Sequence, residues 1–184
     1  VIAIEPVPKT YRSLSKNIRL NNLEHLIVSK QLAVGSTCGI VAMTSDAGGL
    51  DHVVDGDASG TTVCVDLRPL DEILGERRAS AIKMDVEGFE MHALRGAHNL
   101  LSSPTLRVLI IELQDCTLRR YGASVEEISS LLREHGFLPY CYDPFGRRLL
   151  AEDGINQFNQ VFVRPGDDIA ARLSSAPRIR LPGY

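Results

Sequence analysis

Four consecutive apolar residues, Val108 to Ile111, stand between two segments of helical periodicity, and that arrangement restricts the chain to few folds. An unbroken apolar run in a strand implies burial on both faces, the mark of a parallel sheet covered by helices on either side. The neighbouring segments fit. Ala81 to Met84 reads as a strand, and Phe89 to Leu101 follows as a helix with Ala93, Leu94, Ala97 and Leu101 on its apolar side. The run itself belongs to a strand from Arg107 to Glu112. Ser124 and Glu127 then form a capping box ahead of a helix carrying Ile128, Leu131 and Leu132, which Gly136 closes. Phe137 to Tyr142 and Gln160 to Val163 read as strands that finish the sheet in antiparallel fashion.

The first half repeats the alternation less regularly. Val1 to Ile4 is a buried strand ended by Glu5-Pro6, and Val7, Tyr11, Leu14 and Ile18 follow at helical spacing with Pro8 in the first turn. Leu26 to Val28 and Leu32 to Val34 are short apolar runs. Gly39 to Met43 is another strand, and Thr62 to Leu67 alternates as a half-buried strand should. Between them Asp46 to Gly60 is a loop rich in Gly, Asp and Ser. Leu70, Ile73 and Leu74 form a short helical turn ending at Gly75. The expected fold is an α/β sandwich with a mostly parallel sheet. The main domain spans residues 1–165, with a C-terminal helix or loose tail over 166–184.

At 184 residues, 44% hydrophobic and 23% charged, the chain has the composition of a soluble globular domain. A net charge of -3 gives no electrostatic case for nucleic acid. No apolar run approaches the roughly 20 residues that span a bilayer, so no membrane association is expected. The cysteines, Cys38, Cys64, Cys116 and Cys141, are widely spaced and form no zinc pattern. Cys64 and Cys141 fall in strand-like runs, where a buried thiol is expected. A reducing, cytoplasmic compartment fits this usage best.

The chemistry concentrates in Ile82 to Glu90, IKMDVEGFE. A strand ends in Asp85, and Glu87 and Glu90 follow around Gly88 at the start of a helix. Ligands of open α/β sheets sit beyond the carboxyl ends of the strands, so these acids project toward a site. Three carboxylates within six residues repel one another, which a purely structural turn has little reason to keep. Helix capping is the competing account for the two glutamates. Glu5 is a second anchor, since an acid ending the first strand of a βαβ unit is where nucleotide-binding folds bond ribose hydroxyls; Pro6 fixes the chain direction after it. Glu112 ends the next parallel strand and could face the same crevice, or simply terminate it. His92 could join Asp85, Glu87 and Glu112 around a divalent cation, but no recognised spacing supports a metal site. Tyr121, Tyr140 and Tyr142 are weaker candidates for an acceptor pocket.

These pieces together resemble the FkbM family of S-adenosylmethionine-dependent methyltransferases. The resemblance rests on VIAIEPVPKTYRSLSKNIRLNN at the start, on DLRPLDEIL, on IKMDVEGFEMHALRGA, on LIIEL and on NQFNQVFVRP from Asn156. It implies a Rossmann-like class I methyltransferase fold with an antiparallel C-terminal strand, and methylation of a hydroxyl on a small molecule or glycan. By position, Glu5 with Pro6 would bind the cofactor ribose, and Gln31, Leu32 and Ala33 would lie near the adenine. Asp85 would sit beside the methionine end and the acceptor, with Glu87 and Glu90 close by. Asp85 is the first candidate for the catalytic base and Glu87 or Glu90 the second.

One departure is large. The family's first strand and glycine-rich cofactor turn precede the strand that begins here at Val1, and no such turn occurs in the 184 residues. That strand lies between the strands of Ile2 and Ile82. The chain is therefore expected to be the larger part of a domain truncated at its start. It must then repack, pair with another chain, a homo-oligomer included, or tolerate a hollow sheet. Two other readings remain: a non-catalytic scaffold of the same shape, and a nucleotide-dependent oxidoreductase, which the lack of a dinucleotide fingerprint disfavours.

Overall fold

A computed structural model of the chain describes residues 1–46, 50–54, 60–151 and 158–177, excepting the side chains of residues 158, 167 and 168. Parts of the expected loop (47–49 and 55–59), the start of the NQFNQVFVRP segment and the final residues 178–184 lie outside that set. The order of elements is β1 (Ile2–Ile4), α1 (Pro8–Leu20), β2 (Val28–Lys30), β3 (Ala33–Val34), β4 (Gly39–Thr44), β5 (Thr62–Arg68), α2 (Leu70–Leu74), β6 (Ala81–Met84), α3 (Glu90–Arg95), α4 (His98–Ser102), β7 (Val108–Leu113), α5 (Asp115–Leu118), α6 (Val125–Glu134), β8 (Leu138–Asp143), β9 (Arg148–Ala151), β10 (Phe158–Val163) and α7 (Asp167–Ser175).

Among the described residues the strands form three sheets. β6 and β7 are parallel, with Ile82 opposite Leu109 and Met84 opposite Ile111. β10 then lies antiparallel between β7 and β8, and β9 extends the edge. The apolar run expected to be buried on both faces behaves so: Leu109 and Ile111 are fully buried, and Val108 and Ile110 partly. α3, α4 and α6 cover this sheet through Leu94, Leu101, Ile128 and Leu132, all essentially inaccessible. The capping box forms as expected, with the Glu127 amide donating to Ser124 Oγ at 3.2 Å and the Ser124 amide to Glu127 Oε2 at 2.9 Å. β1 pairs with β2 in parallel, Ile2 opposite Val28. A smaller sheet joins β3, β5 and β4 around Ala33, Met43, Val65 and Leu67.

Among the described residues, β1 pairs only with β2, and β6 only with β7. Between them lies a cavity of about 980 Å³ lined by Ile2 and Ile4 on one wall and Ile82 and Met84 on the other. Both strands leave a row of backbone groups facing that space.

Three expectations change. The single helix expected over Phe89 to Leu101 is two, α3 and α4, broken at Gly96. The reason is contact rather than propensity: a Cβ on Gly96 would collide with the carbonyl oxygen of Gly35, and the Gly96 carbonyl accepts the Asp71 amide at 3.0 Å. Cys64 is exposed rather than buried, because β5 alternates and turns Val65 and Leu67 inward, leaving Cys64 and Asp66 outside. β9 was not expected as a separate strand, whereas α7 falls within the stretch expected to be a C-terminal helix or tail.

Candidate functional site

The cavity continues to the carboxyl ends of β1 and β6, where the sequence placed its acids. Glu5, Asp51, Asp85 and Glu87 all line it. Each arrives by a different device. Glu5 follows β1, its amide donating to Lys30 of the neighbouring strand, and its Oε1 accepts the Val7 amide at 2.8 Å. The carboxylate therefore holds the entry to α1, where Pro8 occupies the first turn. Burial pushes the Glu5 carboxyl above its ordinary range, the Val7 bond opposes this, and Asp51 pushes it up further. Asp51 accepts the Thr44 hydroxyl at 3.0 Å, which brings the loop after β4 onto the cavity wall.

Asp85 sits at the mouth, half-exposed, with Lys83 Nζ 3.2 Å from its Oδ2. Glu87 follows in a left-handed conformation, φ 53°, which turns its side chain onto the wall. Its carboxyl is raised, first by burial and then by the charges of Asp85 and Glu112; His52 and Arg120 act in the opposite direction. Glu112, at the end of β7, accepts a bond from Gln114 at 2.7 Å. It reaches the group as a charge near Glu87 and is not part of the cavity wall.

Glu90 is placed differently from the other acids. It is 1% exposed, and it does not line the cavity. Its Oε1 accepts the amides of Val86 at 3.3 Å and Gly88 at 3.2 Å, while Oε2 has no partner. His92 is also off the wall: it stacks on Phe89 at 4.2 Å, and burial lowers its pKa. Tyr121 meets Phe89 edge-on and donates to the Val53 carbonyl at 2.6 Å, tying the 50–54 segment beside the acids.

Of the residues expected near the cofactor, Pro6, Leu32 and Ala33 line the cavity with Glu5, whereas Gln31 is exposed and does not. Asp51 and the Tyr121 tie escaped the sequence reading. Asp51 lies in a loop without periodicity, and Tyr121 works through its hydroxyl, which no spacing announces.

Acids at the carboxyl ends of strands around one open cavity are the arrangement of a ligand-binding α/β domain. The chain belongs to the family of the methyltransferase FkbM domain, whose family model matches residues 1–139. It is also similar in fold to the crystal structure of the methyltransferase FkbM from Methylobacillus flagellatus KT, at 20% identity and a TM-score of 0.53. That alignment covers 89% of this chain and 36% of the solved one, so the chain spans about a third of that protein's length. A search of curated proteins gives no match.

Proposed function

We propose that this domain transfers a methyl group from S-adenosylmethionine to a hydroxyl oxygen of a small molecule or glycan. The observation that carries the reading is that Glu5 and Asp85, from the ends of β1 and β6, line one cavity. Fit to the cofactor is judged on its wall. A half-buried carboxylate at the end of β1 suits a ribose diol, and the apolar Leu32 and Ala33 suit an adenine face. When bound, the cofactor supplies an electrophilic methyl group on a sulfonium.

The chain's own residues do the remaining work. Asp85, at the mouth beside Lys83, accepts the proton of the acceptor hydroxyl as it becomes a nucleophile. Glu87, raised by burial and by Asp85, is the alternative acceptor, since a base poised nearer neutrality transfers protons well. Holding the hydroxyl in line with the methyl is the other contribution of the wall, and it supplies much of the acceleration in displacements of this kind. The four cysteines are unpaired, which suits a reducing compartment such as the cytoplasm.

A second reading has one observation behind it: the 184 residues contain no glycine-rich turn to cradle the methionine end. On that reading the domain is a non-catalytic binding module. Calorimetric titration of S-adenosylhomocysteine decides between them, run on this chain, on its Glu5→Gln variant, and on any longer native chain that encodes it. Binding weakened by Glu5→Gln supports the methyltransferase. Absence of binding in every form overturns it in favour of the module.

A further inference from the structure

We propose that Glu90 is a positioning residue whose buried carboxyl, as a hydrogen-bond acceptor for the Val86 and Gly88 amides, sets the direction in which Asp85 and Glu87 enter the cavity. The inference rests on reading that cavity as the methyl-transfer site, but its evidence is separate. Among the described residues, the cavity acid with left-handed backbone is Glu87, φ 53°, in the Asp85–Gly88 turn, and Gly88 follows it at 101°. Such a turn needs outside support. Besides the Phe89 amide bonding back to the Val86 carbonyl at 3.2 Å, the turn has Glu90 Oε1, taking two of its amides at 3.3 and 3.2 Å from inside the first turn of α3.

The side chain is too deeply enclosed for chemistry. It is 1% exposed, it is absent from the cavity wall, and its Oε2 has no hydrogen-bond partner. An acid that neither meets solvent nor faces the substrate space has no route to a reacting proton. A buried carboxyl with one orphaned oxygen is costly, and it is tolerable only if its other oxygen secures something the fold uses. Here that something is the turn carrying Asp85 and Glu87. Burial raises the Glu90 carboxyl, while the amides it accepts oppose the rise; an amide oxygen in the same place would accept those bonds as well.

The test compares Glu90→Gln with Glu90→Met in this chain. The two are neutral and similar in size, and only the first keeps an acceptor. Two readouts need no cofactor: amide exchange at Val86 and Gly88, and the titration of the Glu87 carboxyl followed by carbon NMR. Glu90→Gln should keep the slow amides and the raised Glu87 titration. Glu90→Met should speed exchange at both amides by about tenfold or more and return Glu87 toward the ordinary range, with Leu109 and Ile111 still protected. An unaltered turn in Glu90→Met overturns the proposal. So does loss of both signals in Glu90→Gln, which would make the charge the essential part. If only Glu90→Gln folds, the role is structural and the positioning claim fails. None of these outcomes bears on cofactor binding, which the calorimetric titration reads independently.

Discussion

Gly88 lies so close to Thr117 that no side chain fits between them: a Cβ on Gly88 would collide with the Thr117 carbonyl oxygen, and the residue's φ is 101°. The turn behind β6 is thus locked against α5 from one side while Glu90 holds it from the other. Gly88→Ala should destabilise the chain by about 2–4 kcal/mol, combining left-handed strain with forced displacement of backbone. Gly122 provides the control, since its φ is 67° but nothing lies near a Cβ there. Gly122→Ala should cost only about 1–2 kcal/mol. Urea unfolding of both variants checks this, and equal losses would mean that the Thr117 contact yields easily.

Much of this fold was legible because its second half obeys simple periodicities. The run Val108 to Ile111, the Ser124–Glu127 cap and the strand ending at Asp85 each carry a local signal that tertiary structure did not override. Where reading failed, a distant contact decided. Gly96 breaks a helix because Gly35 lies against it, and nothing near Gly96 in sequence says so. Cys64 faces outward because the small sheet covers only one face of β5, which alternation shows but cannot orient. Asp85, Glu87 and Glu5 were singled out by strand-end logic, and all three line one cavity. Glu90 shows the limit of that logic: three residues beyond Glu87, helix geometry turns it inward, so its proximity in sequence to Asp85 did not reveal its burial.

The separation of β1 from β6 has a kinetic signature. β7 is hydrogen-bonded on both sides, to β6 and β10, and its residues Leu109 and Ile111 are inaccessible. β1 has one partner, the three-residue β2, and borders the cavity. Opening of β1 should therefore need little of the global unfolding energy. Amide exchange at Ile2 to Ile4 is expected to run at least about 100-fold faster than at Leu109 and Ile111. Comparable rates on the two strands would show that the open edge is closed in solution.

Tyr121 ties the 50–54 segment to the site through its hydroxyl, which donates to the Val53 carbonyl at 2.6 Å, while its ring packs edge-on against Phe89. Tyr121→Phe removes the first and keeps the second. A loss of about 1 kcal/mol is expected, the usual worth of one hydrogen bond. The amides of His52 and Val54, which bond Thr44 Oγ1 and the Ala42 carbonyl, should exchange faster in the variant. Unchanged exchange there would show that the Thr44 and Asp51 bonds hold the segment unaided.

The buried Glu90 carboxyl makes stability depend on pH in a predictable direction. Its pKa is raised in the folded chain, chiefly by burial, although the Val86, Gly88 and Glu90 amides pull it back; Asp85 adds to the rise. The folded state therefore binds the proton more tightly than the unfolded state, whose carboxyl titrates near about 4.3. Between the unfolded value and the raised folded one, the folded chain carries more protons, and stability must fall as pH rises through that window. Below the window the stabilisation is complete, and above the folded pKa it is gone. Glu90→Gln cannot ionise, so it escapes this loss. The stability of Glu90→Gln relative to the native chain should thus grow from acid toward neutral pH and level off above the folded pKa. Urea unfolding of both proteins across pH 4–8 (about the span over which a raised carboxyl titrates) measures the difference directly. A difference that does not change with pH would mean that Glu90 titrates as an ordinary carboxylate despite its burial.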